Sequence, residues 1–141
     1  TAITEPDKVA RLHLLDSLTL LTLEELKGKK VIDVGCGAGF PGVPVKIACP
    51  ETKLTLLDSL GKRMKWLETI LPQLGVEAEC VHARAEEFAD NHRESFDIAC
   101  ASLSPTKFGT IVVSELAPRL TYIVITSSSL TSSYEISAPS L

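Results

Sequence analysis

Residues 31–42, VIDVGCGAGFPG, constrain this chain more than any other stretch. Val31, Ile32 and Val34 form a short apolar, β-branched run of the kind found in strands covered on both faces. Gly35, Gly37 and Gly39 then permit a tight turn and a close approach of ligand to backbone. Pro41 and Pro44 suit the first turn of a following helix, where a missing N–H costs little. Strand, glycine turn and helix start together predict a nucleotide-type binding site.

A chain of 141 residues has room for one domain with a real core. With 45% hydrophobic and 23% charged residues it is globular in composition. No apolar run approaches a membrane span, and the start lacks the basic segment and apolar core of a signal peptide. The four cysteines, Cys36, Cys49, Cys80 and Cys100, form no CxxC pair and lie in or beside apolar segments. They read as reduced core residues of a cytoplasmic protein, with neither metal nor disulfides expected. A net charge of −4 offers nucleic acid no general attraction, so an RNA partner requires a local basic patch.

The pattern along the chain predicts an N-terminal helical segment over 1–29, a domain of alternating strands and helices over 30–126, and a flexible Ser/Thr-rich tail over 127–141. In the first, Val9, Leu12, Leu15 and Leu18 fall on one helical face from Asp7 to Leu21. Strands are expected at Val31–Val34, Leu54–Leu57, Glu79–Val81, Phe96–Cys100 and Tyr122–Ile125. Helices are expected at Val43–Ala48, at Leu60–Leu74 and, as a short turn, at Ala85–Ala89. Ser59 is the expected N-cap of the long helix, Met64, Leu67, Leu71 and Leu74 its apolar stripe, and Pro72 a kink or early end. The segment from Ile111 to Leu116 fits either helix or strand. Alternation of this kind predicts an α/β fold with a mostly parallel sheet and right-handed crossovers.

Gly37-Ala-Gly39-Phe-Pro-Gly42 matches GxGxxG, a weak signal on its own. Asp33 makes it sharper. A carboxylate two positions before the first glycine is placed either to accept N–H groups of the turn or to meet an ammonium group of a ligand, and it is unwelcome beside a pyrophosphate. That favours a cationic ligand carrying an adenosine, such as S-adenosylmethionine. Asp58, 23 residues after Gly35, closes the second strand, where a carboxylate accepts the ribose hydroxyls of an adenosine or simply starts a helix. Ala85 and Glu86 follow the third strand at the same sheet edge, placed to contact an adenine base or to open a helix.

From about Thr1 to Ala101 the chain resembles the RsmG (GidB) family of small-subunit ribosomal RNA guanine-N7 methyltransferases. The resemblance rests on Thr1 to Pro6, on the segment from His13 to Leu18, on DVGCGAGFPGVPVKIA from Asp33, on LLDSLGKR ending at Arg63, and on Arg84 to Phe88. It implies a Rossmann-like methyltransferase sheet, S-adenosylmethionine as cofactor, and small-subunit (16S type) ribosomal RNA as partner. Gly35, Phe40, Ala85 and Glu86 would line the cofactor site, alongside Asp33, Gly37, Gly39 and Asp58. Because guanine N7 carries an in-plane lone pair, the implied methyl transfer needs no general base, and positioning supplies the catalysis. No catalytic side chain is therefore expected, and His13, between Leu12 and Leu14, reads as structural. The basic clusters Lys62, Arg63, Lys65 and Lys27, Lys29, Lys30 read as solvated faces in an acidic chain.

The chain departs from the family after the fourth strand. Ala101-Ser102-Leu103 stands where the family has an arginine, and only Lys107, Glu115, Arg119 and Glu135 carry charge beyond it. A truncated or frameshifted reading, with the last strands missing, is the expectation for residues 102–141. Alternatives to the RNA enzyme are an inactive fragment that at most binds S-adenosylmethionine, a small-molecule methyltransferase and, weakest because of Asp33, a nicotinamide enzyme.

Overall fold

The central strand is β1, Lys30–Val34, whose last four residues are buried without a break, as its sequence demands. A computed structural model describes residues 25–39, 41–101, 116–117, 121–125 and 133–137, with residues 11 and 18 singly. Of the expected helix over Asp7–Leu21 only residues 11 and 18 are among them, of the segment Ile111–Leu116 only Leu116, and the residues Phe40, Ser102 and Leu103 lie outside them. Six strands form one sheet in the order β3-β2-β1-β4-β5-β6. Here β2 is Lys53–Asp58, β3 Glu79–His82, β4 Ile98–Ala101, β5 Thr121–Ile125 and β6 Ser133–Ser137. Neighbours from β3 to β5 pair in parallel, and β6 runs antiparallel to β5. The strand order reverses beside β1, and in open α/β sheets such a switch point holds the ligand crevice at the carboxyl ends of the strands.

Alternation along β1 sorts its side chains between two cores. Val31 packs with Leu54, Leu56, Ile98 and Cys100 against helices α1, Gly42–Ala48, and α2, Gly61–Gln73. Ile32 and Val34 pack with Leu57, Ala99 and Ala101 on the other face, where Ala89 of α3, Ala85–Asn91, joins them. Period two therefore sends Asp33 to the apolar face, opposite Leu56 of β2 and Cys100 of β4. A fully buried leucine such as Leu56 or Leu67 stabilises the sheet by about 2 kcal/mol.

Helix α2 departs from expectation at both ends. At its start the N-cap position is Leu60, with no side-chain cap, and Ser59 is not used. Asp58 instead turns its Oδ1 to the Leu60 N–H at 2.9 Å, forming an Asx turn. At its end Pro72 sits in the last turn, and Gly75, at φ 66°, reverses the chain. The Val76 N–H reaches the Leu71 carbonyl at 3.0 Å and the Gly75 N–H the Pro72 carbonyl at 3.2 Å, a Schellman motif. Val76 thus takes the buried place beside Leu71, and Leu74, expected on the stripe, is 55% exposed.

Strand β6 lies within the stretch expected as a flexible tail. The sequence S-Y-E-I-S alternates large and polar residues with period two, and the pairing runs from Ser137 opposite Thr121 to Ser133 opposite Ile125. The surrounding Ser and Thr hide this short alternation from composition. Among the described residues no helix is long and apolar enough to cross a membrane.

Candidate cofactor-binding site

The loop after β1 is held from beneath by β2. The N–H groups of Gly35 and Cys36 both reach the Leu57 carbonyl, at 2.8 and 3.1 Å. Gly37 donates to Asp58 Oδ2 at 2.9 Å, and Gly39 to the Cys36 carbonyl at 2.8 Å. Gly35, Gly37 and Gly39 have φ of 68°, 54° and 97°, the left-handed region that only glycine enters without strain. At Gly39 there is no room either, since a Cβ would lie 2.7 Å from Val43 Cγ2. Phe40, expected against the cofactor, lies outside the described residues.

Asp33 lies under this loop with no exposure to solvent. Its Oδ2 accepts the Gly42 N–H at 2.9 Å, the first of the two roles its position allowed. Its Oδ1 has no partner. Burial raises its carboxyl well above the usual range, the Gly42 N–H opposes this, and the charge of Asp58 adds to the rise. Gly42 had no role in the sequence reading, although the last glycine of GFPG was the available signal. A Cβ there would stand 2.8 Å from Leu56 Cδ2 and 2.9 Å from Asp33 Oδ2.

Most of the described N–H groups that would bind an anion are already used, Ala38 excepted. Gly35, Cys36, Gly37, Gly39 and Gly42 donate within the protein, Val43 donates to the Gly39 carbonyl at 2.7 Å, and Pro44 has no N–H. A pyrophosphate site depends on such donors being free at a helix start. Here two carboxylates occupy that ground, and the cation beside them is Arg63, 3.6 Å from Asp58 Oδ2 and 54% exposed. Arg63 was legible only as one member of a basic cluster. Its place in the first turn after Asp58 brings it to the loop edge.

Asp58 joins three parts of the site. It holds Gly37, starts α2 through Leu60, and its carbonyl accepts the Ala83 N–H at 3.2 Å, two residues before Ala85. Ala85, half-buried, and Glu86, exposed, open α3 at the same edge. Asp58→Asn turns one acceptor into a donor facing an N–H. It is expected to cost about 2 kcal/mol by urea denaturation and to speed amide exchange at Gly37 and Leu60.

Three of the four thiols are held in their protonated, unreactive form. Cys36, Cys80 and Cys100 are all raised above the ordinary cysteine range, in each case chiefly by burial. Asp33 pushes Cys36 and Cys100 further. No three His, Cys, Asp or Glu side chains gather into a metal-binding group among the described residues. An open groove of about 680 Å³ at the opposite edge of the sheet carries Lys30, Lys46 and Lys53 against Glu51, Glu77 and Glu79. Lys46 is already bound to the Pro50 and Thr52 carbonyls, so this groove has neither net charge nor the glycine loop.

Comparison with known proteins agrees with this geometry. A family model described as rRNA small subunit methyltransferase G matches residues 1–126. The curated ribosomal RNA small subunit methyltransferase G of Desulfitobacterium hafniense is 49% identical over 100 residues, covering 69% of this chain and 41% of that protein. Its counterpart in Alkaliphilus metalliredigens is 50% identical over 105 residues, covering 72% and 44%. The chain thus spans about two-fifths of the length of these relatives. Among solved structures, a SAM-dependent methyltransferase from Aquifex aeolicus superposes with a TM-score of 0.57 at 20% identity, covering 86% of this chain and 72% of its own. A precorrin-6y C5,15-methyltransferase from Geobacter metallireducens gives 0.63 at 15% identity, covering 89% and 65%. The sheet is that of the Rossmann-like methyltransferases, and the chain belongs to the rRNA small subunit methyltransferase G family.

Proposed function

We propose that this chain holds S-adenosylmethionine at the carboxyl edge of β1, β2 and β3, and that it serves methyl transfer to N7 of a guanine in small-subunit ribosomal RNA. The observation that carries the cofactor reading is the use of most of the loop's described N–H groups by carboxylates and carbonyls. It leaves a donor-poor cradle with two carboxyl groups, which fits a sulfonium and an ammonium better than a pyrophosphate. The unpaired Asp33 Oδ1 adds an acceptor with unmet demand.

Gly35, Gly37 and Gly39 shape the loop against which the cofactor lies. Asp58 spends one lone pair on Gly37 and one on Leu60, and a carboxylate has about four acceptor sites, so capacity for ribose hydroxyls remains. Ala85 and Glu86 take the adenine side. The bound cofactor supplies an electrophilic methyl group. This chain's part is to orient it, with the guanine N7 aligned at about 3 Å, and no side chain need remove a proton. The family match and the relatives' names support ribosomal RNA as the acceptor. Incubation with labelled S-adenosylmethionine and small-subunit particles tests the reading: label is expected in the RNA at guanine N7. Cofactor binding without transfer to any RNA would reduce the chain to a cofactor-binding fragment.

A further inference from the structure

We infer that the exposed face of α2 is the surface that receives the RNA, with Trp66 stacking on an unpaired base and Lys62 and Lys65 meeting the flanking phosphates. This rests on the RNA methyltransferase reading above. Helical spacing puts Lys62, Lys65, Trp66 and Thr69 on one side, opposite the buried Met64, Leu67 and Leu71. Trp66 is 51% exposed, an unusual position for the largest apolar side chain, and Leu60 at the start of the helix is exposed equally. The only acid of the helix, Glu68, comes after the basic turn and a half.

The charge placement is unfavourable for the helix alone. All three of its cations lie within its first five residues, with no acid in the first turn, at the positive end of the helix dipole. An anionic chain along that face reverses the sign. Basic groups interleaved with an exposed aromatic are the combination that binds single strands, the cations following phosphates and the ring taking a base of any identity. The face is also continuous with the candidate cofactor site. Arg63, between Lys62 and the buried Met64, reaches Asp58 at 3.6 Å and stands 3.8 Å from the position of a Cβ on Gly37. A base held by Trp66 therefore belongs to a strand passing the cofactor edge. The sequence alone gave these lysines the weight of an ordinary solvated face, and the exposure of Trp66 beside them changes that weight.

Trp66 is the chain's only tryptophan, so its fluorescence reports on the face directly. The test titrates the whole chain with an unpaired ribo-oligonucleotide and with S-adenosylmethionine in separate experiments. RNA is expected to quench Trp66. Trp66→Ala should bind the same RNA about tenfold more weakly, and Trp66→Phe within about threefold of the parent. Lys62→Ala with Lys65→Ala should flatten the slope of log affinity against log salt by about 1.4, the release from two phosphates of a single strand. All three variants should keep the parent's affinity for S-adenosylmethionine, and the lysine variant should not lower the urea midpoint. Unquenched Trp66, quenching by duplex alone, or wild-type RNA affinity in Trp66→Ala would overturn the proposal. Loss of S-adenosylmethionine binding in the parent chain would instead overturn the cofactor reading, so the two failures are distinguishable.

Discussion

Asp33→Asn is expected to stabilise the free chain at neutral pH by about 1–2 kcal/mol and to weaken S-adenosylmethionine binding by about tenfold. The carboxyl is buried among Leu56, Cys100 and the α1 start, with one oxygen on the Gly42 N–H and the other unpaired. An amide keeps the bond to Gly42, leaves one group unpaired as before, and removes the buried charge. Because burial holds the folded carboxyl above its unfolded value of about 3.9, the folded state binds its proton more tightly. The contribution of Asp33 to stability is therefore fully present below about pH 4 and is lost as pH rises through the folded value. The charged groups that bear on it are Asp58 on β2, with Arg63 of α2 behind it, and the thiols Cys36 and Cys100. A cationic ligand favours the ionised form, so binding releases the proton. Affinity should rise with pH above the unfolded carboxyl value of about 3.9 in the parent and stay flat in Asp33→Asn, as read by titration calorimetry. A variant less stable than the parent, with unchanged cofactor affinity, would show that the charge has no part in binding.

Gly39→Ala is the second large effect. An alanine at φ 97° pays the left-handed backbone cost of about 1–2 kcal/mol, and its Cβ meets Val43 Cγ2 at 2.7 Å and Leu67 Cδ2 at 3.3 Å. Both neighbours belong to the core under α1 and α2 and have little freedom to move aside. A total loss of about 3 kcal/mol in urea denaturation is expected, together with loss of cofactor binding. Gly28→Ala is the matched control. At φ 74°, with nothing within 4 Å of its Cβ, it carries the backbone cost alone, about 1 kcal/mol. Equal losses at the two positions would mean that the loop, not the glycine, yields.

What could be read from the chain was what neighbours in sequence determine. The apolar run of β1, the three glycines, Asp58 closing β2 and the stripe of α2 each signal themselves within a few residues. Asp33 was legible as a candidate site residue, but its burial comes from Leu56 and Cys100, which reach it only once β2 and β4 pair with β1. Asp58 displaced Ser59 at the head of α2 because its carboxylate was already fixed by Gly37 and stood within reach of Leu60. Leu74 left the stripe because the turn at Gly75 moved Val76 into its place. The exposure of Trp66 is likewise tertiary. At helical spacing an aromatic between two lysines fits an inner or an outer face until the core residues opposite it are known.

The central claim is that the loop after β1 is a cradle for a cation and not for a pyrophosphate. Parallel calorimetric titration of the chain with S-adenosylmethionine and with NAD tests it most directly. Saturable binding of the first at one site per chain, with no heat from the second, is the predicted result. Binding of NAD, or no binding of S-adenosylmethionine by a folded chain, would contradict it.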